Sequence, residues 1–155
     1  MQNTNTVPDK SLLLGKAIAI AAQAHQGQVD KFDAPYILHP IRLMMQMDSE
    51  EEKMAAILHD VVEDTNWTLE DLKAAGFTQV VVDAVDGLTH RDHESYTAYV
   101  KRAKTNAIAR KVKLADLEDN MDVKRAPHIG EKEIRRLQRY HRHWLMLKQE
   151  EDKNG

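Results

Sequence analysis

A single apolar helical run carries four polar residues that can bind a metal ion or transfer protons. The run spans residues 57–65, and its polar members are His59, Asp60, Glu63 and Asp64. At about 100° of turn per residue, the last three lie at roughly 100°, 40° and 140° from His59, so all four share one side of a helix. Burying one imidazole beside three carboxylates is unfavourable unless a cation is present. The run therefore predicts a core helix with a bound divalent metal.

Helical spacing of apolar residues continues through the rest of the chain. Aromatic residues make up only 5% of the sequence, and six Gly and four Pro leave few turn signals for a sheet protein. Ser49, with Glu52 three residues later, predicts the start of the helix that carries the polar run, over about residues 50–63. A chain of 155 residues suits one hydrophobic core. We expect an all-α, single-domain helical bundle of about eight helices.

Composition narrows the partners and the metal chemistry. The net charge of −3 gives no global attraction to nucleic acid or to a membrane surface. Cysteine is absent, so a metal site must use nitrogen and oxygen ligands. We expect a cytoplasmic protein with a disordered lead-in at residues 1–10, a domain over residues 11–149 and a tail at residues 150–155. A homodimer stays open.

A second polar stripe lies on a later core helix. Lys113, Asp116 and Asn120 fall within an arc of roughly 60° on a helix over residues 106–122. His39 precedes a proline that suits the first turn of another helix. Two imidazoles and two carboxylates suit a six-coordinate divalent ion with positions left for water or substrate. The candidate set is His39, His59, Asp60 and Asp116.

Three motifs in order carry a resemblance to a known family. They are Tyr-Ile-x-His-Pro at residues 36–40, His-Asp-x-x-Glu-Asp-Thr at residues 59–65 and Lys-Leu-Ala-Asp-x-x-x-Asn-Met at residues 113–121. With them, the chain resembles the HD superfamily of metal-dependent phosphohydrolases from about residue 11 to residue 147. It is most similar to the hydrolase domain of RelA/SpoT-type alarmone enzymes and to the small stand-alone alarmone hydrolases.

The resemblance implies a role for each matched position. One divalent ion, with Mn²⁺ favoured and Fe²⁺, Mg²⁺, Co²⁺, Ni²⁺ or Zn²⁺ open, would be bound by His39, His59, Asp60 and Asp116. Glu63 and Asp64 would orient or deprotonate the attacking water. Nucleotide contacts would come from Lys31, Lys113 and Asn120. The reaction implied is removal of the 3′-pyrophosphate from (p)ppGpp.

One position departs from the family pattern. Asp30 stands where the family has an arginine before the loop lysine, so a cation is replaced by an anion. Two alternatives therefore stay open, which are an HD phosphohydrolase acting on another nucleotide and a metal- and nucleotide-binding sensor without turnover. No synthetase activity is expected, because the sequence does not match the synthetase part of the long enzymes.

The other histidines have no assigned role. His25 is interpreted as a structural residue at a helix end. His90 and His93 are interpreted as part of a loop cluster rather than a second metal site. The arginine-rich surroundings of His141 and His143 indicate a solvated helix face. The role of His128 is open.

Overall fold

The computed structural model describes residues 9 to 149. The regular secondary structure of this part of the chain is helical. Beyond an isolated bridge between Val29 and Pro35, it contains no β-structure. Within the same range there are nine helical segments, of which α4 is a single turn. They are α1 (Lys10–Ala24), α2 (Leu38–Met45), α3 (Glu50–Leu58), α4 (Val61–Asp64), α5 (Leu69–Ala74), α6 (Gln79–Gly87), α7 (Tyr96–Lys104), α8 (Ala107–Met121) and α9 (Glu131–Lys148). The predicted all-α class is confirmed.

Helix α3 lies at the centre of the bundle. It packs against α1, α2, α6 and α8. Its last five residues are buried in succession, with 0 to 1% of their surface exposed. A helix that is buried on every side has neighbours all around it, which explains why no polar residue interrupts residues 54–58. Burying Ile57 and Leu58 contributes about 1.5–3 kcal/mol each, so the end of α3 is held firmly.

Local capping signals set several helix starts. The side chain of Ser49 accepts a hydrogen bond from the backbone N–H of Glu52 at 3.1 Å, and Glu52 accepts one in return from Ser49 at 3.2 Å. Thr68 and Asp71 form the same reciprocal pair at α5. These pairs satisfy backbone donors that a helix end leaves unpaired.

The helix is interrupted between Leu58, where α3 ends, and Val61, where α4 begins. The prediction of one continuous helix over residues 50–63 is therefore wrong. Asp60 has φ −107° and ψ 0°, outside the helical range, and α4 begins again at Val61. The His59 ring forms a hydrogen bond between Nδ1 and the Ala56 carbonyl oxygen at 2.7 Å. Side chains one residue apart do not face each other on a regular helix. The break removes this constraint and allows His59 and Asp60 to face a common point.

The first helix begins close to the start of the described residues. Helix α1 begins at Lys10, with the Asp9 side chain accepting a hydrogen bond from the backbone N–H of Ser11 at 2.9 Å. The rest of the predicted lead-in, residues 1–8, and the predicted tail lie outside the described residues.

His143 is only 3% exposed and packs against Tyr96, so its interpretation as part of a solvated face is wrong. None of the described helices combines the length and apolar character needed to cross a membrane.

Candidate metal centre

The four predicted metal ligands meet at the end of α3. His39, His59 and Asp60 each place one ligand atom within 4.8 Å of the others. Oδ1 of Asp116 lies 3.0 Å from Nε2 of His39 and 3.8 Å from Nε2 of His59. Within residues 9–149, no other group of three His, Cys, Asp or Glu residues could hold a metal. His90 and His93 therefore form no second site in the described part of the chain.

The hydrogen bonding of His59 leaves one nitrogen available for a metal. Its Nδ1 donates to the Ala56 carbonyl, so in the neutral ring the lone pair lies on Nε2. Nε2 is buried without a hydrogen-bond partner among the described residues, although Oδ2 of Asp60 lies 3.0 Å away. A buried nitrogen without a partner is costly unless something binds it. The atom therefore fits a metal ligand.

His39 is oriented by a carboxylate behind it. Its Nδ1 lies 2.6 Å from Oδ2 of Asp119, and Arg42 donates two hydrogen bonds to the same carboxylate at 2.8 and 2.9 Å. This arrangement places the proton on Nδ1 and directs Nε2 toward Asp116. Asp119 was not predicted, although it lies three residues after Asp116 on α8 and helical spacing could have identified it.

Each metal-site carboxylate has polar partners of its own. The Tyr36 hydroxyl donates to Oδ2 of Asp60. Asp116 accepts a hydrogen bond from Nζ of Lys113 at 2.8 Å and another from Nδ2 of Asn120 at 3.1 Å. Burial raises the pKa of Asp116, but the Lys113 charge and the histidines outweigh burial and hold the pKa well below its usual value. Asp116 therefore stays ionised despite being buried.

The pKa of His39 indicates how the metal-free site balances its charge. Burial lowers this pKa, but hydrogen bonds with Asp116 and Asp119 outweigh burial and raise it to about 9. Without a metal, the imidazole of His39 is therefore protonated near neutral pH. A proton occupies the position at which a metal would bind, and metal binding must release it.

The two predicted water-activating carboxylates lie beside the quartet, on α4. Oε1 of Glu63 accepts the backbone N–H of His90 at 2.8 Å, and Glu63 lines the cavity described below. Asp64 does not line that cavity. Partial burial, together with the negative charges of Asp60 and Glu63, raises the pKa of Asp64 to about 6. Burial also raises the pKa of Glu63.

A cavity of about 540 Å³ is lined by three of the four candidate ligands, His39, Asp60 and Asp116. This volume is within the range of small-ligand sites. All three predicted substrate-binding residues line it: Lys31, Lys113 and Asn120. The Nζ atom of Lys113 lies 5.4 Å and 5.0 Å from the ring centres of Tyr96 and Tyr99, and that of Lys31 lies 5.1 Å from the ring of Tyr140. Cations and aromatic rings therefore line the cavity together with the carboxylates.

Comparison with known proteins finds relatives that are named as (p)ppGpp hydrolases. No family model matches the chain. The guanosine-3′,5′-bis(diphosphate) 3′-pyrophosphohydrolase of Vibrio cholerae is 40% identical over 83 residues, which cover 51% of this chain and 12% of the relative. A solved structure described as a metazoan ortholog of SpoT that hydrolyzes ppGpp matches with a TM-score of 0.69 and 25% identity, over 86% of this chain and 84% of the other. The resemblance to the RelA/SpoT-type hydrolase domain is confirmed.

The curated relatives are much longer than the matched region. A GTP pyrophosphokinase of Streptomyces coelicolor is 36% identical over 119 residues, 68% of this chain but only 14% of the relative. The chain therefore spans about an eighth of the length of such relatives.

Several cavity residues had no signal in the sequence. Arg125 lies in the loop between α8 and α9 and donates a hydrogen bond to Oδ2 of Asp30 at 3.0 Å. Arg139 reaches the same cavity from α9. Neither belongs to a motif, and the basic residues of α9 resemble an ordinary solvated face. Only their position in the folded chain identifies them.

Proposed function

We propose that this protein is a metal-dependent phosphohydrolase that removes the 3′-pyrophosphate from (p)ppGpp. The observation that carries the proposal is the set of His39, His59, Asp60 and Asp116 converging on a cavity with cationic walls. The names of the Vibrio cholerae relative and of the metazoan structure support this substrate. The cytoplasmic location, the absence of a nucleic-acid partner and the homodimer stay predictions.

The metal would be held by the two imidazole Nε2 atoms and by Asp60 and Asp116. Imidazole and carboxylate ligands suit Mn²⁺, which we favour, and they also accept Fe²⁺, Mg²⁺, Co²⁺, Ni²⁺ or Zn²⁺. When bound, a divalent ion supplies Lewis acidity toward the phosphoryl group and lowers the pKa of water. The chain's own contribution is orientation: Asp119 aligns His39, Tyr36 aligns Asp60 and Lys113 aligns Asp116.

Glu63 and Asp64 are the proposed proton acceptors. Glu63 faces the cavity, and its pKa is raised by burial, which makes the carboxylate a better base near neutral pH. Asp64, the next residue along the chain, has a pKa raised to about 6 and can hold or pass on a proton. We assign orientation and deprotonation of the attacking water to Glu63, with Asp64 in support.

Lys31, Lys113 and Asn120 are the proposed substrate contacts. Lys31 donates to the Asn120 carbonyl oxygen at 3.0 Å, so its ammonium stays at the cavity wall. Lys113 is 6% exposed and already pairs with Asp116, so it would meet a phosphoryl oxygen only beside the metal. Asn120 contacts both Lys31 and Asp116, because its main-chain oxygen accepts from Lys31 and its side chain donates to Asp116. Together they would neutralise phosphate charge.

A second candidate keeps the metal site and changes the nucleotide. Asp30 places a carboxylate at the cavity wall, where an anionic substrate must approach. This observation favours an HD phosphohydrolase for a nucleotide with fewer or differently placed phosphates. The third reading, a sensor without turnover, is less favoured because it gives no role to Glu63 at the cavity.

The test is direct incubation of the metal-loaded protein with ppGpp and manganese. Anion-exchange chromatography would follow the appearance of GDP and pyrophosphate, with Asp60→Ala as the inactive control. We expect both products from the wild type alone. Stoichiometric metal binding without products would reject ppGpp as the substrate and direct the search to other nucleotides.

A further inference from the structure

Two arginines that line the cavity differ in how their donors are used. Arg42 gives two hydrogen bonds to Asp119, at 2.8 and 2.9 Å, so its guanidinium forks onto one carboxylate. Arg125 gives a single hydrogen bond to Asp30, at 3.0 Å, and no other within residues 9–149. Most of the donors of Arg125 are therefore left for a ligand, whereas Arg42 is engaged with the protein.

Asp30 holds Arg125 in a defined place. Oδ1 of Asp30 accepts the backbone N–H groups of Phe32 and Ala34, at 2.8 and 3.1 Å. These bonds lock the carboxylate in the loop before α2, so that Oδ2 points to Arg125 in the loop after α8. The guanidinium carbon also lies 5.4 Å from the centre of the Phe32 ring. Asp30 is thus a positioning residue, and the pair joins two loops at the cavity.

The surroundings of Arg125 have an excess of positive charge. Nζ of Lys31 lies 5.4 Å from the same Phe32 ring and forms no ion pair with a carboxylate among the described residues. Burial and the positive charges of Arg136 and Arg125 lower the pKa of Lys31. Lys31 and Arg125 thus lie near one ring, and the negative charges of Asp119 and Asp30 offset only part of their repulsion. An anionic ligand would relieve this repulsion.

This cationic group and the metal quartet lie on one cavity and share a residue. The main-chain oxygen of Asn120 binds Lys31, and its side chain binds Asp116. A substrate whose reacting phosphate lies at the quartet can therefore carry a second phosphate toward Lys31 and Arg125. The cavity has an anionic end that suits a cation and a cationic end that suits an anion.

We propose that Arg125, held in place by Asp30, is a specificity-determining residue that binds a second phosphate group of the substrate, remote from the group that reacts. The inference rests on the proposed function and names its substrate class, a nucleotide phosphorylated at two positions. Arg125 places a planar cation beside the loop before α2, in which position 30 is an aspartate and not a cation. A guanidinium with free donors matches a phosphate better than an ammonium does.

The experiment compares two probes by titration calorimetry, ppGpp and guanosine 3′-diphosphate, which lacks the second phosphate group. Every protein in the comparison is loaded with manganese and carries Glu63→Gln, which removes the proposed base, so that the metal stays in place and neither probe is consumed. Arg125→Ala is expected to weaken ppGpp binding about 10-fold or more, with a change of less than about twofold for the probe that lacks the group. Arg125→Lys is expected to restore part of the loss, and Asp30→Asn, which keeps the loop acceptor, to weaken ppGpp binding less than Arg125→Ala.

Arg135→Ala is the matched control. Arg135 is also paired with a single carboxylate, Glu131 at 3.7 Å, but it does not line the cavity. An equal effect of Arg125→Ala on both probes, or none on either, overturns the inference, as does equal binding of both probes by the wild type. Thermal unfolding of each variant separates lost binding from lost fold.

Turnover with manganese separates this inference from the proposed function. Wild-type protein that binds ppGpp through Arg125 but releases no pyrophosphate keeps the inference and rejects the hydrolase. Wild-type protein that hydrolyses ppGpp while Arg125→Ala binds both probes normally keeps the hydrolase and rejects the role of Arg125.

Discussion

Nδ1 of His39 lies 2.6 Å from Oδ2 of Asp119, a carboxylate that Arg42 holds with two further hydrogen bonds. The contact joins α2 to α8 and determines which imidazole nitrogen is free. It gives the candidate metal centre a support that the motifs do not specify, because Asp119 falls on a variable position of the third motif. The consequences for metal binding can be measured.

Replacing Asp119 with Ala is expected to weaken metal binding about 10- to 100-fold. Without the carboxylate, His39 loses the partner that aligns its ring, and Arg42 loses both acceptors. Isothermal titration with Mn²⁺ measures the affinity. Asp122→Ala is the control, because among residues 9–149 the Asp122 side chain pairs only with exposed Lys124. Unchanged affinity in Asp119→Ala would show that His39 needs no partner.

Adding metal is expected to raise the melting temperature of the wild type. At a free metal concentration of 100 times Kd, the gain is about 2.7 kcal/mol, which is a shift of several degrees for a domain of this size. Asp60→Asn, which keeps the side-chain shape, is expected to lose most of the shift. A similar shift in both proteins would mean that metal binds elsewhere. Asp116→Ala is a poorer choice, because it leaves Lys113 buried without its partner.

The pH dependence of stability tests the environment of Asp64 in the metal-free protein. Burial and the neighbouring carboxylates raise its pKa from 3.8 to about 6. Between these values the folded state binds more protons than the unfolded chain. This group therefore makes the free energy of unfolding fall as pH rises through the window. Asp64→Asn is expected to remove this contribution in urea titrations at pH 4, 5 and 6. Parallel curves for the two proteins would contradict it.

Ser49→Ala tests the start of the helix that carries the site. Loss of the cap is expected to reduce the free energy of unfolding by about 1 kcal/mol, because the Glu52 backbone N–H loses its acceptor. Urea unfolding gives the change. Manganese affinity is expected to stay within about twofold, since the proposed metal ligands lie at the other end of α3. A loss of affinity with the cap would show that the start and end of α3 are coupled.

Parts of the fold and the site were accessible from sequence because they depend on near neighbours. The capping box that the sequence predicts at Ser49 is present, and Thr68 and Asp71 form a second one by the same local pattern. In α6 the valines also follow helical spacing, since Val81, Val82 and Val85 are buried while Val80 is 53% exposed. The break at Asp60 was not predicted, because the apolar pattern continues through it. The His59 ring contact that accompanies the break is with a backbone carbonyl, a group that the sequence pattern does not reveal.

The sequence by itself determined the helical class and the residue types available for a metal and a nucleotide. Periodicity and capping are properties of neighbours within a few positions along the chain. Only the tertiary structure decided that His39 meets Asp116, 77 residues later, and that Asp30 meets Arg125, 95 residues later. Such contacts depend on how helices pack around α3, and no local pattern encodes the side chains that packing brings together.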